Sequence, residues 1–259
     1  MTPRRALLGA AVGLPLALVT IVAVEAYVAV RADYLPTDPG YRVDGYTVPA
    51  TGSVADALQL LVLGDSTVAG VGSTTAEESL AVLIAERVAD RLGRPVDVTG
   101  LGLSGARTDD IAADQIPRIE ADPDVVVVVI GSNDVTHFTP RWGFESRTRR
   151  MLTAVADATD APLVLGGIPQ FRTVPALAEP LRSLVGRYAV PLREAQRAAA
   201  ASTPGTTFVD IAAEASPRFI GRPESMSSDG FHPSEIGYGM WADALAPAVA
   251  EAATGTTAP

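Results

Sequence analysis

A chain of 259 residues with 30 acidic against 20 basic side chains, a formal charge of −10, has room for one sizeable domain and an appendage. That balance argues against a nucleic-acid partner, which needs clustered positive charge. The absence of cysteine excludes disulfides, thiol nucleophiles and thiolate metal sites, and two histidines, His137 and His232, make a His-rich metal centre a poor expectation. No cofactor or metal is expected.

The first thirty residues stand apart. Arg4 and Arg5 precede an uncharged run from Ala6 to Val24, and after Glu25 the apolar run resumes to Val30. As a helix the uncharged run spans about 28 Å, close to the hydrocarbon thickness of a bilayer. Residues 1–30 are therefore expected to form one N-terminal transmembrane helix. It would anchor the chain to the cell membrane as a single-pass protein, with the body outside the cytoplasm. The alternative is a signal peptide cut near Val30-Arg31-Ala32, which would release a secreted protein. Residues 31–57, punctuated by Pro36, Pro39, Gly40, Gly45, Pro49 and Gly52, read as an irregular linker. Residues 58–252 form the expected domain, and 253–259 a disordered tail.

Within the body, short apolar runs alternate with longer amphipathic ones. Strands are predicted at Leu60–Leu63, Pro95–Thr99, Val125–Ile130, Leu163–Leu165 and Thr207–Ile211. Helices are predicted over Thr75–Leu92, Arg107–Ala121, Arg147–Thr159, Leu184–Ala201 and Pro233–Ala252. Val125 to Ile130 is an unbroken β-branched run, which suits a strand buried on both faces. The alternation predicts an α/β fold with a central parallel sheet covered by helices on both sides. Sites in such sheets lie beyond the carboxyl ends of the strands.

Three predicted strand ends carry Gly64-Asp65-Ser66, Gly100-Leu101-Gly102-Leu103-Ser104-Gly105 and Gly131-Ser132-Asn133-Asp134, and Asp229-Gly230-Phe231-His232-Pro233 precedes the last helix. A hydroxyl needs a neighbouring base to become a nucleophile, and the base needs a carboxylate to fix its tautomer. Ser66, His232 and Asp229 supply those three types. The oxyanion of a tetrahedral intermediate needs preset donors, and the main-chain N–H groups of Ser66 and Gly102 with the Asn133 amide are the candidates. Each motif alone reads as ordinary turn chemistry; the ordered set points to acyl transfer.

With those residues in hand, the chain resembles the SGNH hydrolase superfamily, the GDSL-like esterases and lipases, across nearly all of residues 58–250. Ser66, Gly102, Asn133 and His232 match the four name-giving positions, and Asp229 matches the third triad member. Thr67 replaces the Leu of the GDSL tetrad, and Gly100 stands where many members carry Asn. The resemblance implies a three-layer α/β/α sandwich, flavodoxin-like in form, and a role for Asp65 in bracing the nucleophile loop. It implies a serine esterase acting on a small acyl ester, lipid or acetylated sugar, and a monomer is expected. An acyltransferase using the same triad on a sugar or glycerol hydroxyl is the alternative.

Other readings are weaker. Gly100 to Gly105 fits the dinucleotide fingerprint G-x-G-x-x-G, but it follows the second predicted strand and no acidic residue ends the next one. No G-x-S-x-G elbow of the α/β-hydrolase type occurs. A glycan- or lipid-binding module without catalysis would have no use for the complete set. His137 reads as a loop residue, and Phe138, Trp142 and Phe144 either line an acyl pocket or anchor a loop.

Overall fold

The computed structural model describes residues 3–50, 56–120 and 122–255; the side chains of residues 3–16 lie outside the described set. Among the described residues the sheet has six strands: β1 (Tyr46–Val48), β2 (Leu58–Gly64), β3 (Val96–Gly100), β4 (Val125–Val129), β5 (Leu163–Gly166) and β6 (Thr206–Val209). Their spatial order is β1-β3-β2-β4-β5-β6, with β1 antiparallel to β3 and every other pairing parallel. The chain order reverses between β2 and its two neighbours β3 and β4, so the crevice at their carboxyl ends is where this architecture places a site.

Helices are α1 (Pro3–Val30), α2 (Ser66–Ala69), α3 (Leu80–Leu92), α4 (Ser132–Thr136), α5 (Phe144–Thr159), α6 (Leu181–Ala201), α7 (Ile211–Glu214) and α8 (Glu235–Thr254). The valine run of β4 shows why the sheet is covered twice. Val125, Val127 and Val129 pack with α3 and α8 on one face, while Val126 and Val128 pack with α5 on the other. Each such buried side chain contributes about 1.5–3 kcal/mol through loss of apolar surface to water. A third cluster gathers Val135, Ile168 and Phe171 with the inner face of α6, including Leu181, Val185 and Leu192.

Three expectations are corrected. The stretch 31–57 is not simply a linker: it supplies the antiparallel edge strand β1, and Val43 and Val48 are buried. Residues 51–55 of that stretch lie outside the described residues, as do 256–259 of the expected tail. Among the described residues no α-helix covers 107–120 of the predicted helix Arg107–Ala121; a π turn at Ile111–Gln115 and a 3₁₀ turn at Ile116–Arg118 stand there instead. Pro117 has no N–H to continue a helix. Gln115 turns inward, where its amide accepts from Gly64 N–H at 3.0 Å and donates to Gly64 O at 2.7 Å, clamping the end of β2. Finally, α8 begins with Ser234 as N-cap, accepting from Gly237 N–H, so Pro233 precedes the helix rather than opening it.

Among the described residues no helix is long and apolar enough to cross a membrane. The transmembrane segment expected over 1–30 falls largely on side chains outside the described set. What is described is the last part of α1, and it docks on the body. Val22, Ala26 and Ala29 pack against the third cluster. Glu25 Oε2 accepts from Leu181 N–H at 2.9 Å, placing an anion on the first turn of α6. Leu18, Ile21, Val24 and Val28 are left exposed.

Candidate active site

Ser66 opens α2 directly beyond β2. Asp65 caps that helix: its Oδ1 accepts from Thr67 N–H at 3.0 Å and from Thr67 Oγ at 2.8 Å. The carboxyl is buried, and burial pushes its pKa above the ordinary aspartate value despite those hydrogen bonds. A side chain at Gly64 would meet Val129 O at 2.2 Å, so the turn into Ser66 requires glycine where β2 abuts β4.

His232 and Asp229 share a tight turn that Gly230, at φ +62°, makes possible. Asp229 Oδ1 accepts from the Ser227 hydroxyl at 2.8 Å, Phe231 N–H at 2.8 Å and His232 N–H at 2.9 Å. Its Oδ2 lies 2.7 Å from His232 Nδ1. Burial alone would raise this carboxyl, but the hydrogen bonds from the His232 ring and from the surrounding N–H groups outweigh it and hold the pKa far below the usual range. An ionised carboxylate only accepts, so Nδ1 carries a ring proton, and in a neutral ring the lone pair is then on Nε2. Nε2 lies 3.0 Å from Ser66 Oγ, across 166 positions of sequence. Hydroxyl, imidazole and carboxylate thus form one hydrogen-bonded row.

Asn133 stands on α4, just beyond β4, after Gly131 at φ +119°. Its Nδ2 donates to Ala106 O at 3.0 Å, and an amide nitrogen has a second hydrogen to offer. Neighbouring Asp134 is buried and holds Thr108 through both its N–H and its hydroxyl, fixing the loop after β3 to α4. Its pKa too is raised by burial.

Two cavities meet at the Ser66–His232 pair. One is a void of about 40 Å³ touching Phe171 and Trp241. The other, about 400 Å³ and mostly apolar, also touches Asn133 and Gly105. Among the described residues no cluster of three or more His, Cys, Asp or Glu is placed to hold a metal ion.

The GDSL-like lipase/acylhydrolase family profile matches residues 62–240, which contain the end of β2 and strands β3 to β6 but stop inside α8. The chain belongs to that family. It is 32% identical over 202 residues to the GDSL-like esterase Rv1075c of Mycobacterium tuberculosis, covering 76% of this chain and 63% of that protein. The chain therefore spans less than two thirds of that relative's length. TesA shares 24% identity over 73% of this chain and 96% of its own, with a TM-score of 0.57. Axe2, an acetylxylan esterase from Geobacillus stearothermophilus, shares 18% over 76% and 95%, with a TM-score of 0.54. Those two likenesses speak for the fold.

One of the expected site residues, Gly102, lines neither cavity at Ser66. Gly102 packs behind α2, where a Cβ would lie 2.0 Å from Ala69 N, and it borders a separate cavity with Tyr41 and Arg118. Glycine is needed there for close backbone packing. Gly105 instead lines the apolar cavity with Ser66 and Asn133. It sits third in the turn closed by Ala106 N–H to Leu103 O, at φ +84°, the left-handed position such a turn assigns to glycine. The spacing of that turn was a signal in the sequence, masked by the first glycine pair. The aromatic residues divide: Phe138 reaches the cavity rim, Trp142 is exposed and Phe144 belongs to the core. His137 also borders the cavity, its Nδ1 2.9 Å from Asn133 O. No helix opens at Gly105, so the dinucleotide fingerprint lacks its structural context.

Proposed function

We propose that the chain is a serine esterase in which Ser66 attacks the ester carbonyl, His232 takes the hydroxyl proton and Asp229 steadies the resulting imidazolium. The observation that carries this reading is the 3.0 Å approach of His232 Nε2 to Ser66 Oγ, with Asp229 on the other ring nitrogen at 2.7 Å. In the first step Oγ bonds to the carbonyl carbon and its proton passes to Nε2. The oxyanion falls to Asn133 Nδ2 and the main-chain N–H groups of Ser66 and Gly105, with Gly105 taking the role that spacing had given to Gly102. Collapse expels the alcohol, which leaves with the proton from Nε2. Water, deprotonated by the same ring, then releases the acid and restores Ser66. Asp65 positions the nucleophile turn through Thr67.

Ser66→Ala and His232→Ala are expected to abolish nearly all hydrolysis of p-nitrophenyl acetate while the melting temperature stays close to the parent value. Full turnover in either variant sinks the assignment. Hydrolysis is also expected to decline as the medium is acidified, because an imidazolium has no lone pair to accept the serine proton.

The same reading holds the chain at the cell membrane through its N-terminal segment, with the catalytic body outside the cytoplasm. The uncharged run Ala6–Val24 and the exposed apolar face of α1 support it. Flotation of the full chain with phosphatidylglycerol-containing liposomes, lost when residues 1–24 are removed, is the expected result; flotation by the shortened chain overturns it.

A further inference from the structure

The 400 Å³ cavity beside Ser66 is not walled by the catalytic domain alone. Its inner side is Leu177, Leu181 and Val185, from α6 and the loop before it, and its outer side is Ala26 and Ala29 of α1 with the Tyr34–Leu35 segment that follows. That outer side is tied to the catalytic loops at several points. Tyr34 packs edge-on against Phe231 with ring centres 5.3 Å apart, and Phe231 in turn packs against the His232 ring at 5.1 Å. Leu35 N–H donates to Asp229 Oδ2 at 3.3 Å, the oxygen that also receives His232 Nδ1. Ser104 Oγ donates to Thr37 O at 2.6 Å, fastening the segment to the turn that carries Gly105. Glu25 fastens its beginning to α6.

We propose that this cavity is a subsite for an unbranched aliphatic chain of the ester, and that the end of α1 with residues 34–37 is a specificity-determining wall of it. The inference rests on Ser66 being the nucleophile. An apolar void of about 150 Å³ holds the six carbons of benzene, so 400 Å³ has room for roughly sixteen heavy atoms, more than an acetyl group or a butyryl group would fill. The walls are mostly aliphatic and aromatic carbon, and Ser66, Asn133 and His232 line the same cavity, so the ester carbonyl can lie against it. The other cavity at Ser66, about 40 Å³, is a tenth of that size. The chain therefore enters the large cavity from either the acyl or the alcohol side of the ester.

The test measures kcat/KM of the full-length protein in detergent for p-nitrophenyl acetate, p-nitrophenyl octanoate and octyl acetate, in the parent, Ala29→Leu, Ala29→Trp and Val24→Trp. Filling the cavity is expected to lower the rate for one eight-carbon substrate relative to p-nitrophenyl acetate, by about tenfold or more for Ala29→Trp and by less for Ala29→Leu. Loss confined to the octanoate assigns the subsite to the acyl side; loss confined to octyl acetate assigns it to the alcohol side. Val24→Trp, on the exposed face, leaves the ratios as in the parent. Ratios within one variant do not depend on how much of it folds, and Ala29→Leu keeps a good helix former in α1. Unchanged ratios in both Ala29 variants overturn the subsite. Ser66→Ala run beside them keeps the two questions apart, since undiminished hydrolysis there fails the esterase reading instead.

Discussion

Asn133 Nδ2 and the carbonyl of Ala106 are hydrogen-bonded at 3.0 Å, which fixes the amide against the turn whose third residue is Gly105. The two proposed oxyanion donors outside the nucleophile turn are thus held as one unit, and this separates the two glycines by consequence. Asn133→Ala is expected to lower kcat about 10²–10³-fold, the usual cost of one preset donor. Gly105→Ala has no neighbour to strike but must place a Cβ at φ +84°, so the peptide turns away and kcat falls while the protein remains folded. Gly102→Ala drives a Cβ into the main chain of α2 and is expected to lower the melting temperature sharply. Melting curves and kcat on all three decide it: a Gly102→Ala protein that melts like the parent yet has lost turnover returns the donor role to Gly102.

Much of this was legible in the sequence, for identifiable reasons. The run Val125–Val129 announces a strand covered on both sides because nothing in it tolerates water. The Ser66 and Asn133 motifs stand where strand signals stop, and His232 just before a helix signal, so topology alone brings them to one edge. Local patterns failed where a distant contact decides. Tyr46–Val48 is three residues among turn formers, and becomes a strand only because β3 offers an edge. Arg107–Ala121 has helical spacing, but Gln115 is turned toward Gly64, on another strand. Glu25 interrupts an apolar run with nothing nearby in sequence to pair with it; its partner, Leu181 N–H, lies 156 positions away.

That last contact makes a prediction of its own. Glu25 accepts from the first turn of α6, the role of a capping anion supplied by another helix. Glu25→Ala leaves Leu181 N–H without its acceptor and weakens the hold of α1 on the body. Caps of this kind are worth about 1 kcal/mol, which for a domain of this size lowers the melting temperature by roughly 2–4 °C. Calorimetry of the full chain checks it. A melting temperature identical to the parent's would mean that α1 does not dock through this residue.

Acid stability tests Asp229 apart from catalysis. Its carboxyl titrates far below the ordinary range in the folded protein because the His232 ring and three further donors favour the charged form over the cost of burial. A depressed folded value stabilises the fold above the unfolded value of about 3.9, and that contribution drains away as pH falls from there toward the folded value. Asp65 and Asp134 slope the other way: burial raises both, so they favour the fold at low pH and lose that effect as pH rises through their folded values. Comparing the parent with Asp229→Asn cancels these two. The parent is expected to melt higher at pH 7, with the gap narrowing below about pH 4, where an unfolded aspartate takes up its proton. Asp229→Asn also presents the ring with the wrong tautomer and is expected to lose about 10⁴ in kcat. A gap that stays constant from pH 7 to pH 3 means that the Asp229 carboxylate is not held by these hydrogen bonds, and the row from Ser66 to Asp229 loses its anchor.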